Sequence, residues 1–208
     1  MEWQWNSGAC LDAVTRAYTA LNFCGVKIDF VTEKQLARGK GAQYEMIVLP
    51  GAENVLDSTV EAIGKLSAST RIVILGDSLH KDPYGRARPA EKLAFVQKRA
   101  IMFPVNADPQ KDLWPAMLAQ LGKAKALPDI SVVGAETGKP VWGVEWLPAK
   151  VGGRTVVNIV NLTDKPADVM VIRRGKPVES KDLLSPGGRE PVRHLKPITP
   201  VLAEIIAR

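Results

Sequence analysis

Apolar positions recur first at helical spacing, then in short unbroken runs between helices, and finally in alternating runs punctuated by turn residues. From Cys10 to Phe23, the residues Leu11, Val14, Tyr18 and Leu21 fit one helical face, and Gly25 stands where a helix commonly closes in a left-handed turn. Val26, Ile28 and Phe30 alternate with Lys27 and Asp29, and Val31 and Thr32 lead into a charged loop, so this stretch predicts a strand. Met46 to Leu49 is fully apolar and stops at Pro50 and Gly51. Asp57 to Leu66 then carries Val60, Ile63 and Leu66 at helical spacing, with Asp57 or Ser58 as the cap. Arg71 to Leu75 repeats the apolar run and ends at Gly76, Asp77 and Ser78.

Pro89 to Arg99 suits another helix, Ile101 to Val105 another strand, and Lys111 to Leu121 a further helix with an early Pro115. Continuous apolar strands alternating with amphipathic helices imply a parallel sheet covered on both faces, an α/β doubly wound arrangement. After the linker at 122–128 helical periodicity ends. Ile130–Val133, Val141–Leu147, Thr155–Asn161, Asp168–Ile172, Pro177–Glu179 and Val201–Ile206 read as short strands, with turns at Gly152-Gly153 and Arg174-Gly175-Lys176. The expected division is an α/β domain over 1–126 and a small antiparallel β-sandwich domain over 127–208.

The chain has 208 residues, 46% hydrophobic and 24% charged, a balance that supports a folded core rather than disorder. Its net charge of +6 would suit nucleic acid only if the basic residues clustered. They do not: Arg86, Arg88, Lys92, Lys98 and Arg99 are interrupted by apolar residues and read as a solvated helix face. Cys10 and Cys24 flank one predicted helix, about 20 Å apart if it is straight, beyond disulfide reach. No metal-ligand spacing is present, the first residues do not form a secretion signal, and no run reaches the ~18 apolar residues of a membrane span. No compartment is encoded.

Three stretches together resemble a known arrangement. Ala17 to Glu33 followed by Tyr44 to Gly51 is similar to the domain after the catalytic barrel in β-galactosidases of glycoside hydrolase family 42. Gly153 to Pro166, Asp182 to Ser185 and Leu195 to Pro197 resemble the small β-sandwich that closes many multidomain glycosidases. The resemblance implies a flavodoxin-like fold akin to class I glutamine amidotransferases, usually without their active site, that serves as a trimerisation domain. It also implies a strand before the position matching Glu2 to Ser7, inside the sheet, for which Met1 leaves room for at most a stub. Either Met1 to Trp5 supplies a shortened strand, or the chain is a fragment whose sheet another copy completes, and the second alternative favours a homo-oligomer.

An amidotransferase nucleophile would sit on a sharp turn flanked by glycines; the matching turn, Gly76 to His80, offers Ser78 without the trailing glycine or a later His-Glu pair. Ligands of open α/β sheets bind at strand carboxyl ends, where Thr32, Glu33, Glu53, Asn54, Asp77, Ser78 and His80 are expected. Glycoside hydrolysis needs two carboxyl groups, so Glu53 and Asp77 are the candidate catalytic pair and His80 a candidate substrate contact. The plainer reading makes them helix caps or partners of Lys81, Arg86 and Arg88. Trp142 and Trp146 fall on one strand face and can stack on sugar or fill a core, and Trp3 and Trp5 carry the same ambiguity. His194 reads as a surface residue without a visible partner. No phosphate cradle is present, and no cofactor is expected.

Three functional readings stay open. In the first, the chain is an accessory, oligomer-forming region of a β-galactosidase-like enzyme whose catalytic barrel lies upstream in a parent protein. In the second it is a small stand-alone glycosidase using Glu53 and Asp77; in the third, a carbohydrate-binding module using Trp142 and Trp146. If it is an enzyme, a glycoside hydrolase is expected rather than an amidotransferase.

Overall fold

A computed structural model describes residues 7–185 and 188–206; the expected strand over Met1 to Trp5, with Trp3 and Trp5, lies outside the described residues. The chain forms two compact units, one of residues 7–20 with 29–126 and the other of residues 21–28 with 127–206. The eight residues 21–28 thus group with the β-rich part, although the sequence pattern placed them within a continuous first domain.

In the first unit, helix α1 (Ser7–Asn22) buries Ala13 and Ala17, also Ala20, while Leu11 and Tyr18 of the predicted apolar face stay exposed. Close approach explains the reversal. A Cβ added to Gly51 would lie 3.2 Å from the Cα of Cys10 and 3.4 Å from the Cβ of Ala13, so only a face of small residues fits there. The predicted strand over Val26 to Thr32 is not formed among the described residues: the stretch pairs with no other strand, and Phe30 is 68% exposed. Alternation alone does not make a strand without a ladder neighbour.

A short helix follows, α2 (Glu33–Ala37), closed by a capping box in which Thr32 Oγ1 accepts from Gln35 N and Gln35 Oε1 accepts from Thr32 N. Then come β1 (Met46–Pro50), α3 (Asp57–Gly64), β2 (Arg71–Leu75), α4 (Ala94–Arg99), β3 (Ala100–Phe103) and α5 (Trp114–Lys123). The three strands are parallel and lie in chain order, with Ile47 opposite Ile72 and Ile74 opposite Met102. Ile47, Leu49, Ile72 and Ile74 share one core with Val60, Ile63, Leu66, Leu93 and Val96 from the α3 and α4 region. Val73 and Leu75 point the other way, and α5, which packs on β2, buries Met117 and Leu121, while Leu113 just before it is also buried. Neither Asp57 nor Ser58 caps α3. Glu33 does so from α2, its Oε2 accepting from Leu56 N and Thr59 Oγ1 at 2.7 Å each.

The second unit is antiparallel. Its strands are β4 (Ile130–Gly134), β5 (Val144–Val151), β6 (Arg154–Asn161), β7 (Ala167–Arg173), β8 (Lys176–Pro177), β9 (Ser180–Asp182), β10 (Arg189–Glu190), β11 (Val192–Leu195) and β12 (Pro200–Ile205). They form a five-stranded sheet, β10-β9-β12-β6-β5, and a second sheet, β11-β7-β4, with β8 paired to β7. Val132, Val157, Ile159, Val169, Val171 and Leu195 lie in the core that these sheets enclose. The β5–β6 turn puts Gly152 and Gly153 at φ 55° and 78°, as a two-residue hairpin needs. Arg174 takes the first such position between β7 and β8, at φ 51°, and Asp129 holds it by accepting from Arg174 Nε and Nη2.

Asn161 closes this unit from inside. It is fully buried; its Nδ2 donates to Lys165 O (2.7 Å) and Leu195 O (3.3 Å), and its Oδ1 accepts from Thr163 N and Oγ1. The Asn-Leu-Thr-Asp-Lys-Pro stretch at 161–166 is therefore a hydrogen-bonded corner. Asn161→Ala strands buried polar groups on Thr163 and Leu195 and is expected to destabilise the β unit by about 3 kcal/mol in urea unfolding.

Candidate functional site

The carboxyl ends of β1 and β2 are tied by one hydroxyl. Ser78 Oγ donates toward Leu49 O (2.8 Å) and Leu75 O (3.0 Å) and accepts from Ala52 N (2.9 Å), and the residue is 2% exposed. A group so committed is not an exposed nucleophile. The strained position of the turn is Leu79, at φ 71° and fully buried, whose N–H donates to Ala52 O. The turn thus puts a left-handed residue at its bend and presents an inert side chain there. Of the two thiols, Cys10 is exposed and Cys24 is buried, and burial pushes the Cys24 thiol up to about 12, so it stays protonated at neutral pH.

Main-chain pairing continues beyond the strands. Lys81 N donates to Glu53 O and Val55 N to Lys81 O, which sets the loop after β1 beside the loop after β2. Glu53, Asp77 and His80 belong to these two neighbouring loops. Glu53 Oε1 is 2.6 Å from Lys81 Nζ, both side chains being 41% exposed. Asp77 is more open, and its Oδ1 lies 3.8 Å from His80 Nδ1, outside hydrogen-bond range.

Arg88 anchors the same loops: its side chain is nearly buried and donates to Asp57 Oδ1 and Val55 O. Between His80 and Arg88 the chain makes a hairpin whose turn is held by Asp82. Partial desolvation pushes the Asp82 carboxyl up, but hydrogen bonds from Arg86 and the Tyr84 N–H outweigh it and hold the group below its ordinary value.

The tryptophans lie in the β unit. Trp142 precedes β5 rather than sharing its face, because Gly143 at φ 83° turns the chain between them. Trp146 is 4% exposed and belongs to the core, so its faces are already covered. Residues 21–28 supply part of the cover: Asn22 Nδ2 donates to Glu145 Oε2 at 2.7 Å, Phe23 meets Trp142 edge-on with centroids 4.6 Å apart, and Gly25 lies against the Trp146 ring. Trp142 remains partly exposed, whereas Trp146 has no face left for a sugar.

His194 does have a partner. Its Nδ1 is 2.7 Å from Asp168 Oδ1, directly opposite across β11 and β7. A separation of 26 residues hides the pair until the register is known. Among the described residues, no group of three His, Cys, Asp or Glu could hold a metal ion, and no helix is long and apolar enough to cross a membrane.

No protein-family model matches the sequence, and no curated protein does. Solved structures do match. The chain is similar to an exo-carrageenase of glycoside hydrolase family 42 from Bacteroides ovatus, with 25% identity and TM-score 0.68 over 94% of this chain and 26% of that one. It also resembles Gan42B, a family 42 β-galactosidase from G. stearothermophilus, in a catalytic mutant (11% identity, TM-score 0.72, 99% of this chain and 37% of that one). A β-galactosidase from Bacillus circulans sp. alkalophilus gives 10% identity and TM-score 0.69, covering 99% and 39%. The chain therefore spans between about a quarter and two-fifths of these three chains, and is a region related to glycoside hydrolases.

Two substitutions test the packing described. Ser78→Ala leaves Ala52 N–H and two strand-end carbonyls without their shared partner and is expected to cost about 1–3 kcal/mol in chemical denaturation. Gly25→Ala forces a methyl into Trp146 at φ 69° and is expected to lower stability by about 2–4 kcal/mol, read from the tryptophan fluorescence transition.

Proposed function

We propose that this chain is an accessory, oligomer-forming region of a β-galactosidase-like glycoside hydrolase, with the catalytic carboxylates in a barrel outside these 208 residues. The observation that carries this reading is coverage: nearly all of this chain matches, yet it accounts for 26–39% of each family 42 chain. In this reading the α/β unit, residues 7–20 and 29–126, is the flavodoxin-like, trimerisation-type domain related to amidotransferases, and the other unit is the closing β domain.

Two features support it. Leu11, Tyr18 and Phe30 are exposed, and the Tyr18 and Phe30 rings stack at 6.0 Å with planes 23° apart, an apolar area suited to a second copy. The Glu53 carboxylate is held by Lys81, a role that the plainer reading of the sequence already gave it.

The purified chain is expected to give oligomers in light scattering, converted toward monomer by Tyr18→Ser with Phe30→Ser, and no turnover of nitrophenyl β-galactoside. Glu53 and Asp77 nonetheless sit on neighbouring loops, which is the observation behind a stand-alone glycosidase. Turnover that Glu53→Gln and Asp77→Asn abolish would replace the accessory reading with that one.

A further inference from the structure

The hairpin after β2 is held more firmly than a connection requires. Asp82 Oδ1 accepts from Tyr84 N (2.9 Å) and Arg86 N (3.0 Å), and Oδ2 from Arg86 Nε (2.7 Å). Asp82 N donates to Arg86 O and Arg88 N to His80 O, closing the hairpin above the Arg88 anchor. What these bonds fix in place is an aromatic ring in water. Tyr84 is 84% exposed, more than any other large hydrophobic side chain described, and the Arg86 guanidinium lies over its ring at 5.1 Å.

One face of the ring is thus backed by a cation and the other is open. The carboxylates around the hairpin are matched, Asp82 by Arg86, Glu53 by Lys81 and Asp57 by Arg88, so the surface is balanced in charge.

We infer that Tyr84 forms a sugar-contact site, where a galactose-type ring stacks on the open face of Tyr84 while Arg86 holds the ring from behind. The choice of galactose rests on the proposed function. It also suits the chemistry: the axial 4-hydroxyl of galactose leaves three C–H groups on one side, an apolar face about the size of one aromatic ring. The surroundings favour a sugar over a protein. A stable protein interface buries about 1,200 Å² or more around an apolar centre, whereas the neighbours of Tyr84 are Pro83, Gly85 and charged residues. The ring and its cation are pre-positioned, so little freedom is lost on binding; the site is convex, which limits affinity to the millimolar range.

The test titrates the 208-residue chain with neutral β-1,4-galactotetraose and with a sulfated κ-carrageenan tetrasaccharide, read by calorimetry and saturation-transfer NMR. Millimolar binding is expected, weakened at least about tenfold by Tyr84→Ala and kept within about twofold by Tyr84→Phe. Arg86→Ala, which removes the support behind the ring, is expected to weaken both sugars alike. Tyr84 is exposed, so its variants are expected to keep the wild-type melting temperature. Absence of binding to both sugars at about 10 mM, or binding that Tyr84→Ala leaves unchanged, overturns the inference. A change of oligomer size in Tyr84→Ala without loss of sugar binding overturns it too, and marks the hairpin as a protein contact. None of these outcomes alters the nitrophenyl galactoside result or the effect of Tyr18→Ser with Phe30→Ser, so the accessory reading stands or falls separately.

Discussion

The geometry at the strand ends depends on the hydroxyl of Ser78. It bridges the last carbonyls of β1 and β2 and receives the Ala52 N–H, so two loops that would otherwise diverge leave the sheet side by side. Buried polar groups must find partners, and here one side chain satisfies three backbone groups at once. The positive φ of Leu79 follows from the same knot, since its N–H must reach Ala52 O while the chain reverses. Beyond it, the Glu53–Lys81 ion pair, the Arg88 anchor and the Tyr84 hairpin are all set by this parallel course. With leucine at the bend and serine buried beneath it, the turn works as a clasp.

Close approach is the second constraint, and it sets residue size. The alanines of α1 lie where Gly51 leaves no room for larger side chains, and Gly25 lies where the Trp146 ring leaves none at all. Residues small enough to be overlooked as core therefore decide which helix face turns inward.

Much of the element order was legible because buried parallel strands announce themselves as unbroken apolar runs, as Met46–Leu49 and Arg71–Leu75 do. The inward face of α1 was misread, because Leu11 and Tyr18 outrank alanine in hydrophobicity while packing distance favours alanine. The α2 start was available in the Thr32 to Gln35 spacing but was obscured by its charged surroundings. Other features had no local signal: Glu33 caps a helix begun more than twenty residues later, and His194 meets Asp168 only through strand register. Among the candidate residues, Glu53, Asp77 and His80 lie on the loops after β1 and β2, where the apolar runs end. Their ion pairing depends on loop geometry that spacing alone does not fix. Trp146 was recognisable as either ligand platform or core, and the four percent exposure decides for core.

Residues 21–28 give the chain an interlaced plan. A piece of the β unit is encoded inside the sequence of the α/β unit, so the β unit is not a module that can be inherited by joining genes at a single point. A recombination at residue 127 would carry off the nine described strands β4 to β12 but leave behind Phe23 and Gly25, which lie against Trp142 and Trp146, and Asn22, which bonds Glu145. Lineages that kept this β unit soluble would be those that kept both pieces on one chain, and the two units are then bound to diverge together.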